Sequence, residues 1–432
     1  MQRWKKAIHL PAIALLPLAF AACHKDDNNM PPGHKSTITV ENVLNSKPLV
    51  QSGTYKGTNT PIIFPGESVN IQFSAAKGET ITFASMYGWS NDLFFAPANP
   101  GIMLYDEKGM PVEGDVSPQV KLWDNGTRIN QAPGKTVVHP GTANAGPIAE
   151  VKGADAQGNH YLSASQLLSA TLKYNGNSMF TLTLKNISGG TANETPISPG
   201  VWAVSYIAGG QLLAPSPLFK EGAVTANGLT AIAEAGDNTM LGSYIQGITG
   251  IFTPLSPVLV VIYNGIDNPI YKSGENDRGE GLKLLAQQGN ADTLAAFLKN
   301  KAGVKAVYVL PAPSSKVLLP VIDGQKGGMV SQDITVQNGD RIAVATMYGF
   351  SNDWFFASTG NGTDAGTKGD ISGSIALYDD GTAINQFPGA GITQFNLAGT
   401  PLFENKPIAP VPNPNGYTTL PPVAEMIRVT LQ

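Results

Sequence analysis

Apolar and β-branched residues alternate with polar ones at Thr37-Ile38-Thr39-Val40, a period of two that predicts a β-strand. Further strands are predicted at Val69 to Phe73 and Thr80 to Ser85, separated by the turn signal Lys77-Gly78-Glu79. Thr171 to Tyr174 and Phe180 to Leu184 flank Asn175-Gly176-Asn177, the pattern of a hairpin. Helical spacing appears at Leu282, Leu285, Leu294, Phe297 and Leu298. There Gly289-Asn290 is expected to stop one short helix and Asp292 to cap the next. The expected fold is mainly β, with short helices inserted in the later part of the chain.

Two domains are expected because the chain repeats itself. MYGWSNDLFFA at Met86 to Ala96 and MYGFSNDWFFA at Met347 to Ala357 agree at nine of eleven positions. LWDNGTRINQAPG at Leu122 to Gly134 and LYDDGTAINQFPG at Leu377 to Gly389 follow in the same order and agree at nine of thirteen. Thr181-Leu182-Thr183-Leu184-Lys185-Asn186 also mirrors Thr37-Ile38-Thr39-Val40-Glu41-Asn42, which places a boundary in the Asn175–Asn177 turn and divides the chain at 36–177 and 178–432. The second copy is longer. Its extra stretch, about 215–303, holds a duplication of its own, Pro217 to Leu241 against Pro269 to Leu294.

Charged residues make up only 14% of the 432, and 48 Gly with 32 Pro suit a turn-rich β protein rather than a charged disordered one. At the amino terminus Arg3, Lys5 and Lys6 precede a short apolar run, Ala7 to Ala22, interrupted by Pro11 and Pro17. That run is short for a membrane span and reads as a signal peptide, 1–22. Without its three cations the chain carries 25 basic against 32 acidic side chains, which points away from nucleic acid. Cys23, the sole cysteine, closes Phe20-Ala21-Ala22-Cys23. The sequence resembles a bacterial lipobox, with Phe20 in place of the usual Leu, and the resemblance implies lipidation of Cys23. His24-Lys25-Asp26-Asp27 is similar to the export signal of Bacteroidetes lipoproteins. It implies a surface-exposed outer-membrane protein held by a lipid anchor, with 23–35 as a flexible tether.

Ser-Asn-Asp followed by aromatics, then Asp-x-Gly-Thr with Asn and Pro-Gly, and Pro-Ile-Tyr-x-x-Gly with Gly-Leu and Ala-x-x-Gly-Asn resemble the spondin amino-terminal domain. The second copy carries all three segments and the first only the two aspartate blocks. The resemblance implies an antiparallel β-sandwich with a calcium site at one end, serving adhesion rather than catalysis. Its site aspartates map to Asp92 and Asp124 in copy one and to Asp353 and Asp379 in copy two. The family's third aspartate is replaced by Arg128 and by Ala383.

Calcium takes six to eight hard oxygens, several of them carboxylate. Copy two offers Asp353, Asp379 and the adjacent Asp380 as candidate ligands. In copy one the fixed cation Arg128 is expected to pair with Asp92 or Asp124 without metal, with a calcium site at Asp92 and Asp124 as the alternative. Asp115 and Asp370 lie nine residues before Asp124 and Asp379, so Asp370 is a further candidate ligand, with an Asp holding its own turn as the alternative. Trp89, Phe94, Phe95, Trp354, Phe355 and Phe356 could form a sugar-binding platform, although strand alternation would bury half of them. His24, His34, His139 and His160 have no counterparts between the copies, and no H-E-x-x-H, G-x-S-x-G or Walker loop occurs. The expectation is a binding or adhesion module for an extracellular protein or glycan. The alternatives are a metal-free envelope scaffold and a carboxylate-based hydrolase.

Overall fold

The computed structural model describes residues 33–310, 317–392, 394, 397 and 399–432. The signal peptide, Cys23 and most of the expected tether lie outside the described residues. The chain is mainly β, and its named strands pair antiparallel throughout. Each repeat contributes a four-stranded sheet and a seven-stranded sheet, and the two repeats match strand for strand.

In repeat 1 the four-stranded sheet runs Ser68–Ser74, Met179–Asn186, Leu168–Gly176, Gly114–Asp115. In repeat 2 it runs Met329–Val336, His34–Asn42, Ile427–Leu431, Gly369–Asp370. The seven-stranded sheet of repeat 1 follows the path Leu49–Tyr55, Ile197–Ser205, Thr80–Tyr87, Leu93–Pro97, Val120–Asp124, Ala149–Glu150, with Ile102–Met103 beside Thr80–Tyr87. That of repeat 2 follows Val304–Leu310, Val258–Tyr263, Arg341–Met347, Trp354–Ser358, Ile375–Asp379, Ala409–Pro410, with Thr363–Asp364 beside Arg341–Met347.

These pairings move the boundary between the repeats. The strand Met179–Asn186, expected to open the second domain, pairs with Leu168–Gly176 and Ser68–Ser74 and completes repeat 1. The strand His34–Asn42, expected to open the first, pairs instead with Met329–Val336 and Ile427–Leu431. Repeat 1 is therefore a continuous insert, about 45–250, while repeat 2 joins 33–44 to 251–432. The mirrored T-x-T-x-x-N strands are equivalent, but each belongs to the repeat opposite to the one expected. A further echo explains why. Thr195-Pro196-Ile197-Ser198-Pro199 and Thr253-Pro254-Leu255-Ser256-Pro257 lead into equivalent strands, so the two helical segments that follow belong one to each repeat.

A buried asparagine ties each strand to this segment. Asn186 Nδ2 donates to the carbonyls of Thr195 and Ile63 at 2.8 and 2.9 Å. Asn42 Nδ2 donates to those of Thr253 and Leu318 at 3.0 and 2.9 Å.

Helices α1 (Leu229–Ala235) and α2 (Thr239–Gly247) cover the seven-stranded sheet of repeat 1, burying Leu229, Ile232, Leu241 and Ile245 against Ala84, Phe94, Trp123 and Val201. Helices α3 (Leu282–Gln288) and α4 (Asp292–Lys299) do the same in repeat 2, with Leu282, Leu285, Leu294 and Leu298 against Leu259, Ala343 and Phe355. The expected double insertion in one domain is thus one helix pair per repeat. Gly289 terminates α3 in the left-handed conformation. Asp292 is the first helical residue of α4 rather than its cap, and Phe297 is 40% exposed on the outer face.

Because a helix pair covers one face and the four-stranded sheet the other, Thr80–Tyr87 is buried at every position. Ile81, Phe83 and Tyr87 point into the sandwich core, and Ala84 toward the helices. The same double cover buries both Phe94 and Phe95 and all of Trp354, Phe355 and Phe356, where alternation predicts that half would be exposed.

Candidate functional site

The aspartate blocks meet in each repeat at the end of the strand pair Leu93–Pro97 with Val120–Asp124, or Trp354–Ser358 with Ile375–Asp379. In repeat 2 the Asp353 side chain is fully buried. Its Oδ2 accepts from the Thr382 N–H at 2.7 Å, the Thr382 hydroxyl at 3.0 Å and the Ala383 N–H at 2.8 Å. Asp379 Oδ1 accepts from the Gly381 N–H at 2.8 Å, and its Oδ2 from the Asn385 amide at 2.5 Å. Asp380, also fully buried, accepts the Thr382 hydroxyl at 3.1 Å. Asp353 Oδ1 and Asp380 Oδ1 are buried without any donor.

Repeat 1 builds the same frame. Asp92 Oδ2 accepts from the Thr127 N–H, the Thr127 hydroxyl and the Arg128 N–H at 2.7, 3.0 and 2.8 Å. Asp124 accepts from the Gly126 N–H and the Asn130 amide, both at 2.7 Å. Asn125 stands where repeat 2 has Asp380, and its amide donates to Thr127 Oγ1 at 3.0 Å. Asp92 Oδ1 and Asn125 Oδ1 are again buried without a donor. The glycine after each Asp-x is required by geometry: Gly126 and Gly381 have positive φ, and a Cβ there would strike the backbone of Gly146 or Lys406.

The side chain of Arg128 does not pair with the aspartates as the sequence suggests. Its guanidinium binds Glu234 of α1 at 2.8 Å. Repeat 2 replaces both partners: Ala383 stands for Arg128, and Gln287 of α3 for Glu234, its amide donating to Thr382 Oγ1 at 2.9 Å. Glu404 adds a nearly buried carboxylate to repeat 2. One of its oxygens lies 2.5 Å from the Lys406 ammonium and the other has no donor.

Electrostatics separate the two sites. Burial, then the charge of Asp124, pushes the Asp92 carboxyl up to about 6 against its three donors. Burial, then Asp379, takes Asp353 to about 7. Burial, then Asp277 and Asp353, takes Asp380 to about 8. Asp124 and Asp379 are raised as well, chiefly by burial. Repeat 2 concentrates carboxylates that resist ionisation together and leaves acceptor oxygens unused, an arrangement that a hard cation would relieve.

Asp370 does not join this cluster. It lies on the four-stranded sheet, and its Oδ1 accepts from the Ser372 N–H at 2.8 Å, as Asp115 does from the Ser117 N–H at 2.9 Å. Both acids hold their own turns, and the Ser372 and Ser117 partners depress both carboxyls. Nor do the six aromatics form a platform. Only Trp89 among them is partly exposed, with the Lys135 ammonium 5.0 Å from its ring centroid.

Sequence reasoning missed Glu234, Gln287 and Glu404. Equivalent helix stops at Gly236 and Gly289 place the first two at matching positions. Glu404 has no such signal, because its counterpart is Asn144.

Fold and site together define a two-repeat, mainly β protein with a carboxylate cluster at one end of each large sheet. No protein-family model matches the chain, and no curated protein matches it.

Proposed function

We propose that this chain is a surface-exposed outer-membrane lipoprotein, anchored through Cys23, whose two spondin-like repeats form a non-enzymatic adhesion or binding module, with calcium held in repeat 2 by Asp353, Asp379 and Asp380. Calcium would bring the compensating charge that these carboxylates need, bridging loops that otherwise repel. Supporting the reading is one observation: Asp353 Oδ1 and Asp380 Oδ1 are buried acceptors with no donor, in a cluster that lacks the Arg128–Glu234 pair of repeat 1. Burial also removes Asp92 and Asp353 from the open cleft that a glycosidase acid pair needs. An extracellular protein or glycan is the partner class that a tethered module of this kind would meet.

The test is calcium titration by calorimetry and thermal melting, with Asp353→Asn as control. The proposal expects saturable binding at one site, lost in the variant, and a rise in melting temperature. Absence of heat and of any shift at millimolar calcium would overturn it.

A further inference from the structure

The two site loops lie in different surroundings. In repeat 2 the loop 382–389, which supplies the Thr382 and Ala383 donors to Asp353 and the Asn385 amide to Asp379, is buried at Gln386, Phe387 and Gly389. Repeat 1 packs onto it. The buried Tyr206 ring lies 6.0 Å from the ring of Phe350 and 5.8 Å from that of Phe252. A Cβ on Gly389 would strike Tyr206, so this glycine makes room for the ring. The equivalent loop of repeat 1, 127–134, leaves Gln131 and Ala132 exposed, and a Cβ on Gly134 would meet nothing within 4 Å.

A second contact joins the repeats at the same loop. Asn177, left-handed at φ 51° in the turn between Leu168–Gly176 and Met179–Asn186, accepts from the Gln386 amide at 2.9 Å through its Oδ1. Its own amide donates to the Asn385 carbonyl at 3.4 Å, an oxygen that also accepts from the Tyr417 hydroxyl at 2.6 Å. The Asn385 side chain is held at both ends, donating to Asp379 and accepting from the Trp354 indole. One residue thus links the turn of repeat 1 to a candidate calcium ligand of repeat 2. Repeat 1 makes the corresponding bonds within itself: the Asn130 carbonyl accepts from Asn159 at 3.3 Å, and Gln131 Oε1 from the Val138 N–H at 2.9 Å. Repeat 2 has no such turn to offer in return. Its equivalents of the two hairpin strands, Ile427–Leu431 and His34–Asn42, lie far apart in sequence, so no turn joins them.

We propose that the Asn177 turn of repeat 1 is a positioning element for the repeat 2 site, so that cation binding there and the contact between the repeats strengthen one another. This rests on the calcium reading above. With Asn385 clamped, the loop beside Asp379 is organised before the cation arrives; without the clamp, the cation must order it. Such coupling is reciprocal, so a cation that holds the loop also holds the turn docked on it.

The test uses Asn177→Gly, which removes the side chain and keeps a residue suited to the left-handed backbone. Calorimetry on the full chain should show calcium bound about five- to tenfold more weakly by the variant than by the intact protein. Gln386→Ala, outside the ligand set, should weaken binding similarly, and the double variant no further than the weaker of the two singles. Hydrogen exchange reads the opposite direction: calcium should slow exchange at 174–179 of the intact chain and not of Asn177→Gly, a response that a purely structural role would not produce. An intact chain that binds no calcium would overturn both the calcium reading and this one. Equal affinity of the intact chain and Asn177→Gly, additive effects of the two substitutions, or exchange at 174–179 indifferent to calcium would each overturn the coupling alone.

Discussion

Replacing Asp380 by Asn should stabilise the metal-free protein and abolish its response to calcium. In the folded chain the Asp380 carboxyl is pushed from 3.8 to about 8, so between these values the folded state holds a proton that the unfolded state has released. Stability from this group is fully present below the unfolded value and is lost as the pH rises through the folded one. One unit is worth about 1.4 kcal/mol. Because Asp353 keeps its own raised carboxyl, from burial and Asp379, part of the cost remains in the variant, and we expect Asn to recover about 2 to 4 kcal/mol at pH 8 and nothing near pH 4. Repeat 1 shows that the amide fits: Asn125 occupies the equivalent position and donates to the threonine hydroxyl. Chemical denaturation with chelator at both pH values measures the difference. Calcium at a hundred times its dissociation constant should then stabilise wild type by about 2.7 kcal/mol and the variant far less. A variant less stable than wild type at pH 8 with chelator, or equal calcium stabilisation of both, would refute the reasoning.

Other outcomes follow from geometry already described. Gly389→Ala should destabilise by about 1 to 3 kcal/mol through its clash with Tyr206, whereas Gly134→Ala, facing open space, should cost markedly less; paired melting curves compare them. Arg128→Leu removes the ion-pair partner of the Glu234 carboxylate and should lower the denaturation midpoint, with calcium binding at repeat 2 unchanged. Asn42→Ala removes the donor from two buried carbonyls and should cost about 2 to 4 kcal/mol, seen as a lower denaturation midpoint.

The strands with clear alternation, such as Val69 to Phe73 and Phe180 to Leu184, were legible because one face is buried and the other wet. Phe94 and Phe95 misled because local alternation carries no sign that helices cover the second face. The division at Asn175–Asn177 failed for a different reason. Similarity between Thr37–Asn42 and Thr181–Asn186 identifies equivalent strands, but only pairing says which sheet each joins. The paired T-P-x-S-P segments would have revealed the insert, since they put one helix pair after each. At the site, Asp92, Asp124, Asp353 and Asp379 were readable from the repeated blocks. The direction of Arg128 was not, because its partner lies 106 positions away on α1.

The insertion of repeat 1 between Asn42 and Thr253 also sets how the molecule answers force. His34–Asn42 lies between two antiparallel neighbours, paired through His34 to Glu41 with Met329–Val336 on one side and through Ile38 to Asn42 with Ile427–Leu431 on the other. A pull on the amino end acts along this strand and loads both rows of hydrogen bonds at once, in shear. Repeat 1 follows this strand in the chain, so a load applied ahead of His34 reaches the pairing of His34–Asn42 with Met329–Val336 and Ile427–Leu431 before it reaches the inserted repeat.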